Sequence, residues 1–131
     1  VTGVYVDSSA LVKLVVDEPE SAALRAYLLQ SGPIYASRIA AIELRRAVLR
    51  HGRIDPADQA ESVLQAVRFI ELDEPMTRLA GAAEPPSLRT LDAIHLSAAL
   101  AIGDECGAFV SYDTRLNAAV EAAGLTVHAP H

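Results

Sequence analysis

Two short apolar runs in this chain stop at an acid and pass at once into helical sequence: GVYVD, ending at Asp7, and GAFVSYD, ending at Asp113. The runs read as strands, and the segments behind them, SSALVKLVV and TRLNAAVEAAG, read as helices. The alternation continues. PIYAS is a second strand, and RIAAIELRRAVLRHGR behind it is a helix with Ser37 as its cap and Gly52 as its stop. Short strands alternating with helices indicate an α/β domain with a mainly parallel sheet and helices on both faces. Ligands of such sheets bind beyond the carboxyl ends of the strands, where Asp7 and Asp113 stand.

The remaining segments fit the same plan. Ser8 or Ser9 is placed to cap the first helix, and DEPESAALRAYLLQSG is a second helix begun by Asp17 or Glu18. DPADQAESVLQAVRF is a helix with an Asp-Pro start, IEL a third strand, and EPMTRLAGAAE a helix ending before Pro85 and Pro86. LRTLDAIHLSAAL extends as a helix to Gly103, and LTVHA is the last strand. With 131 residues, 51% of them hydrophobic, residues 1–131 are expected to form a single domain with a real core. Cys106 stands alone, which rules out an intrachain disulfide framework. No run nears the ~18 apolar residues of a membrane span and no signal-peptide pattern opens the sequence, so the cytoplasm is the expected compartment.

A net charge of −6 argues against nucleic acid as a partner unless acids converge on bound cations that reverse the local field. Asp7, Glu43, Asp92 and Asp113 stand out from their surroundings. Each has an ordinary explanation. Asp7 and Asp113 suit helix caps, Glu43 an ion pair with Arg46 or Arg50, and Asp92 a first-turn acid behind a Thr90 cap. Two strand-end acids and two acids within apolar helices together make coincidence the weaker explanation. Carboxylates about 4 Å apart repel by about 4 kcal/mol at an effective dielectric of about 20, so convergence requires a proton or a cation. An all-oxygen set suits Mg²⁺ or Mn²⁺ over Zn²⁺, and the fitting chemistry is phosphodiester hydrolysis.

VDSSALVKL, ASRIAAIELRRAV, LRTLDAIHLSAAL and FVSYDTRLNAAVEAAGL, in that order, resemble the PIN domain family, and most of all its VapC-type toxin branch. The resemblance spans essentially the whole chain. It implies a three-layer α/β/α fold and a Mg²⁺- or Mn²⁺-dependent endoribonuclease whose acidic site is Asp7, Glu43, Asp92 and Asp113. Asp7 and Asp92 are then the firmest metal ligands, Asp113 completes the site, and Glu43 binds a second metal or orients the attacking water. Ser8 and Ser111 are candidate hydroxyl contacts to water or phosphate; Ser111 stands where relatives often carry Thr. Arg115 and, more weakly, Asn117 are further candidates for substrate contact. His95 reads as a core histidine bonded to backbone.

RNA becomes an acceptable partner on this reading. Arg38, Arg45, Arg46, Arg50 and Arg53, with Lys13, are expected to form either a basic rim for an RNA strand or a solvated helix face. The resemblance further implies a small antitoxin that blocks the site, together with homodimers; the apolar faces of SALVKLVV and SAALRAYLL are expected either to receive the antitoxin's helix or to pack on the sheet. Two alternatives stay beside the toxin: an RNA-processing PIN nuclease and a non-catalytic PIN-fold regulator, the latter disfavoured because all four acids remain. A receiver-like phosphoacceptor needs a late lysine, and the chain holds only Lys13. No GxGxxG, GxxxxGK[ST] or GxSxG pattern is present.

Overall fold

The structure, a computed structural model, describes residues 2–52 and 54–131. Strands β1 (Gly3–Val6), β2 (Ile34–Ser37), β3 (Arg68–Ile70), β4 (Cys106–Val110) and β5 (Val127–His128) form one sheet in the order β3-β2-β1-β4-β5. Every neighbouring pair is parallel. The helices are α1 (Ser8–Val15), α2 (Ser21–Leu29), α3 (Ile39–His51), α4 (Ile54–Gln65), α5 (Glu74–Gly81), α6 (Thr90–Ile102) and α7 (Thr114–Ala122).

Side chains alternate across a strand, and here both faces are apolar, so each face carries its own core. Val4 and Val6 of β1 and Ala108 and Val110 of β4 pack against Leu11 of α1, Leu24 of α2, Leu44 of α3 and Leu64 of α4. Tyr5 and Phe109, the residues between them, point to the other side and meet Leu96 of α6 and Leu116 and Val120 of α7. The result is the three-layer α/β/α sandwich that the alternating pattern predicts. Helix α6 packs between β2 and β4 on one side and α5 and α7 on the other. Every residue from Asp92 to Ala99 is buried as a consequence.

Several element ends differ from the sequence reading. The third strand is Arg68–Ile70 instead of residues 70–72, because Phe69 pairs with Ala36 and Ile70 with Ser37. Arg68 and Phe69 are thereby taken from the preceding helix, which stops at Gln65. Helix α2 begins at Ser21, after Asp17 and Glu18; the Ser21 hydroxyl accepts from the Glu18 amide and closes the turn before it. Asp7 itself caps α1, in place of Ser8 or Ser9. Thr90 is the first helical residue of α6, not its cap; that position belongs to Arg89, whose side chain makes no capping bond. Gly52 does end α3, at φ 77, a left-handed conformation that other residues adopt only at a cost.

Leu11 is fully buried in the first core, whereas Leu29 of α2 is 87% exposed. Leu11→Ala is expected to lower unfolding free energy by about 2–5 kcal/mol in urea melts. Leu29→Ala should stay within about 0.5 kcal/mol of the parent chain.

Candidate active site

β1 and β4 lie side by side with Val6 opposite Val110, so Asp7 and Ser111 leave the sheet as neighbours. Ser111 Oγ donates to Asp7 Oδ2 at 2.7 Å and accepts from the Asp113 amide at 3.1 Å. Ser9 Oγ donates to Asp7 Oδ1 at 2.6 Å, and the Ala10 amide donates to the same oxygen at 3.1 Å. Ser9 also accepts from the Tyr112 amide, tying the start of α1 to the end of β4. Burial pushes the Asp7 carboxyl above the usual aspartate range, and these donors, with nearby His95, offset part of that rise. Ser9 is the contact that sequence reasoning passed over. The clue lay in the spacing, because a hydroxyl two residues past a strand-end acid returns to it at the first turn of a helix. Ser8 is half-buried at the first position of α1.

Asp113 caps α7, with Oδ1 accepting from the amides of Arg115 and Leu116, both at 3.1 Å. The capping explanation is therefore true of both strand-end acids. Asn117, one turn on, donates from Nδ2 to the Ser111 carbonyl at 2.9 Å, which leaves its Oδ1 buried and without a hydrogen bond.

Asp92 is buried in the first turn of α6. The Arg115 guanidinium lies 3.2 Å from its Oδ2, yet no N–H is aimed well enough for that oxygen to count as hydrogen-bonded. The contact is best treated as charge attraction, and a weak one, since Arg115 is half exposed. Asp92 Oδ2 and Asn117 Oδ1 are the two buried side-chain atoms without a hydrogen-bond partner among the described residues. Both belong to residues singled out from the sequence.

Glu43 pairs with neither Arg46 nor Arg50. Its Oε1 meets His95 Nε2 at 2.9 Å, and His95 Nδ1 meets the Tyr5 hydroxyl at 2.7 Å. His95 is thus a core histidine, but its partners are side chains instead of the expected backbone. Nothing near α6 in sequence announces Tyr5, 90 positions away, as its partner. Burial, first of several causes, holds the Tyr5 phenol well above its ordinary pKa.

The basic rim is largely spent. Arg38 makes a two-point contact with Glu71 and stacks over Phe69, and Arg45 makes one with Glu61. Lys13 is buried between Glu18, Glu20 and the face of Tyr112. Burial, with help from Glu20, pushes the Tyr112 phenol up to about 12. Arg46 and Arg50 stay exposed, and Arg53 lies outside the described residues.

A family profile for the PIN domain matches residues 4–121. The chain is 40% identical over 131 residues to the ribonuclease VapC47 of Mycobacterium tuberculosis strain CDC 1551, covering 97% of this chain and 96% of that one. The chain belongs to the PIN domain family, in its VapC ribonuclease branch. VapC46 of M. tuberculosis strain H37Rv is 41% identical over 127 residues, with 97% of each chain covered. In three dimensions the crystal structure of M. tuberculosis VapC20, described as a sarcin-ricin loop cleaving toxin, superposes with a TM-score of 0.76 at 16% identity. That match covers 97% of this chain and 99% of VapC20, and it speaks for the fold.

As they stand, no three acidic, histidine or cysteine side chains of this PIN domain converge closely enough to cage a metal among the described residues. The donors at the strand ends nevertheless suit a hard cation. They are oxygens, and Asp92 Oδ2, from the first turn of α6, is buried and short of a hydrogen-bond partner.

The raised carboxyl of Asp7 has a consequence for stability. The native state binds its proton more tightly than the unfolded chain, so stability falls as pH rises from the unfolded pKa of about 4 through the higher native one. Asp7→Asn is expected to be more stable than the parent at pH 7.5 without divalent cations. The advantage, about 1.4 kcal/mol per pH unit of the rise, should vanish below about pH 4, as melts at the two pH values will show.

Proposed function

We propose that this chain is a metal-dependent endoribonuclease and the toxin of a toxin–antitoxin pair, hydrolysing RNA phosphodiester bonds at Asp7, Glu43, Asp92 and Asp113. The observation that carries the reading is the buried oxygen of Asp92, which has no hydrogen bond among the described residues and only the charge of the half-exposed Arg115 beside it. A carboxylate is rarely left so unless something else completes its surroundings. Full-length kinship to ribonucleases VapC46 and VapC47 supports the RNA substrate.

In this reading Asp7, Asp92 and Asp113 hold Mg²⁺ or Mn²⁺, with Glu43 binding a second ion or orienting the attacking water. The ion, when bound, activates a water and stabilises the leaving oxygen. Asp7 is held in place by Ser9, Ser111 and the Ala10 amide, so its carboxylate is preorganised. Ser8 and Asn117 serve as contacts for water or phosphate, whereas Ser111 is fully buried and acts by holding Asp7. Arg115 serves as a counter-charge to Asp92 and is free to turn to a phosphate when one arrives. A cytoplasmic setting agrees with the single cysteine, and no helix among the described residues is long and apolar enough to cross a membrane.

Leu11 and Leu24, from the two helix faces expected to receive an antitoxin, are buried in the first core. Between α1, α2 and α4 an apolar groove remains, lined by Leu14, Leu28, Leu29, Val63 and Val67. It is the place for the antitoxin's helix. A second apolar groove, with Leu79, Leu96, Leu100 and Ala119 of α5, α6 and α7, suits a homodimer contact.

Purified protein is expected to cleave total RNA only with added Mg²⁺ or Mn²⁺, and to stop on chelation. Asp7→Asn and Asp92→Asn should each lose at least about 100-fold in rate; cleavage unaffected in the double variant would refute the assigned site. Arg115→Gln removes a cation from the metal's vicinity and is expected to tighten Mn²⁺ binding severalfold in titration calorimetry.

A further inference from the structure

We infer that Tyr5 and His95 are positioning residues for Glu43: the phenol selects the imidazole tautomer, and the imidazole holds the carboxylate. The inference rests on the nuclease reading for what Glu43 does there, but not for the geometry of the chain.

The hydrogens can be assigned from the buried end outward. The Ser37 amide of β2 donates to the Tyr5 oxygen at 3.1 Å. An amide N–H can only donate, so the phenol accepts at that side, and among the described residues its own buried hydrogen has no acceptor other than His95 Nδ1, 2.7 Å away. Nδ1 then accepts, and the neutral ring carries its proton on Nε2, aimed at Glu43 Oε1 at 2.9 Å. The other neutral tautomer would set the Nε2 lone pair against a carboxylate oxygen. A hydroxyl chosen only to fill space would not impose that order.

Packing holds the members still. Tyr5 is fully buried, stacked on Phe109 with ring centres 5.0 Å apart, and meets the His95 ring edge-on at 5.9 Å. His95 is 3% exposed. Glu43 is the one member with solvent access, its side chain 23% exposed, and Oε1 is held while Oε2 takes no hydrogen bond among the described residues. One oxygen is anchored and the other is available. A glutamate has three side-chain torsions, and without the anchor it would sample many placements. Four elements, β2, β1, α6 and α3, contribute one group each to the chain.

Nitrogen-15 spectra of the full chain are expected to show His95 with Nε2 protonated and Nδ1 bare, and Tyr5→Phe to mix the two tautomers. Tyr5→Phe keeps the ring stack, and a thermal melt verifies that it is folded. In RNA cleavage, Tyr5→Phe and His95→Leu should lower kcat by about 10- to 100-fold, with KM changed by less than about twofold. His95→Gln, which can return an N–H to Glu43, should recover part of the loss. In a Glu43→Gln background the Tyr5 and His95 substitutions should add nothing further, because they act through Glu43. A parent chain with Nδ1 protonated, or substitutions whose full cost persists in the Glu43→Gln background, would overturn the inference. If the parent chain cleaves no RNA, the nuclease reading fails instead, and the tautomer measurement still decides whether the chain exists.

Discussion

The carboxylate of Asp7 is the group around which the C-terminal end of the sheet is arranged. It sits at the end of the central strand, 3% exposed, where an ionised group loses most of its hydration. Two serine hydroxyls and one backbone amide surround it, each from a segment that must itself be fixed. Ser111 reaches it because β4 is registered against β1, and Ser9 and Ala10 because α1 begins immediately after the strand. A shift of the β1–β4 register by one residue would turn Ser111 to the other face and leave an oxygen of Asp7 unpaired.

The second layer of the site depends on the helix that looks least suited to it. Helix α6 is buried over two turns and shows little difference between its faces. It nevertheless carries Asp92 and His95, each pointing to a different partner. His95 is satisfied through Tyr5 and Glu43, so its burial costs little. Asp92 is left with a charge contact and no aligned donor, which is why it stands out as the strained member of the set.

Much of this was readable in the residues. The strand–acid–helix units at Asp7 and Asp113, the Gly52 stop and the alternation of elements led to the parallel three-layer fold, because those signals are local. The same reading named Asp92 and Asn117, whose oxygens turn out to be the buried atoms lacking partners. Element ends were less legible. Phe69 fits a helix or a strand by periodicity, and pairing with Ala36 of β2 decided between them. Lys13 and Arg38, plausible as a basic rim, proved to be committed to acids and aromatic faces that lie elsewhere in the chain or around a turn.

By itself, then, the order of residues determined which groups are candidates for chemistry and on which kind of element each stands, since period, capping and strand-end position are properties of neighbours in sequence. Only the tertiary structure decided who meets whom. Glu43 had Arg46 and Arg50 within helical reach and instead faces His95, 52 positions on, because α6 packs against β2 and brings the imidazole across. His95 in turn meets a phenol from the central strand. Hydrogen bonds of that span depend on the packing of layers, and no local pattern encodes them.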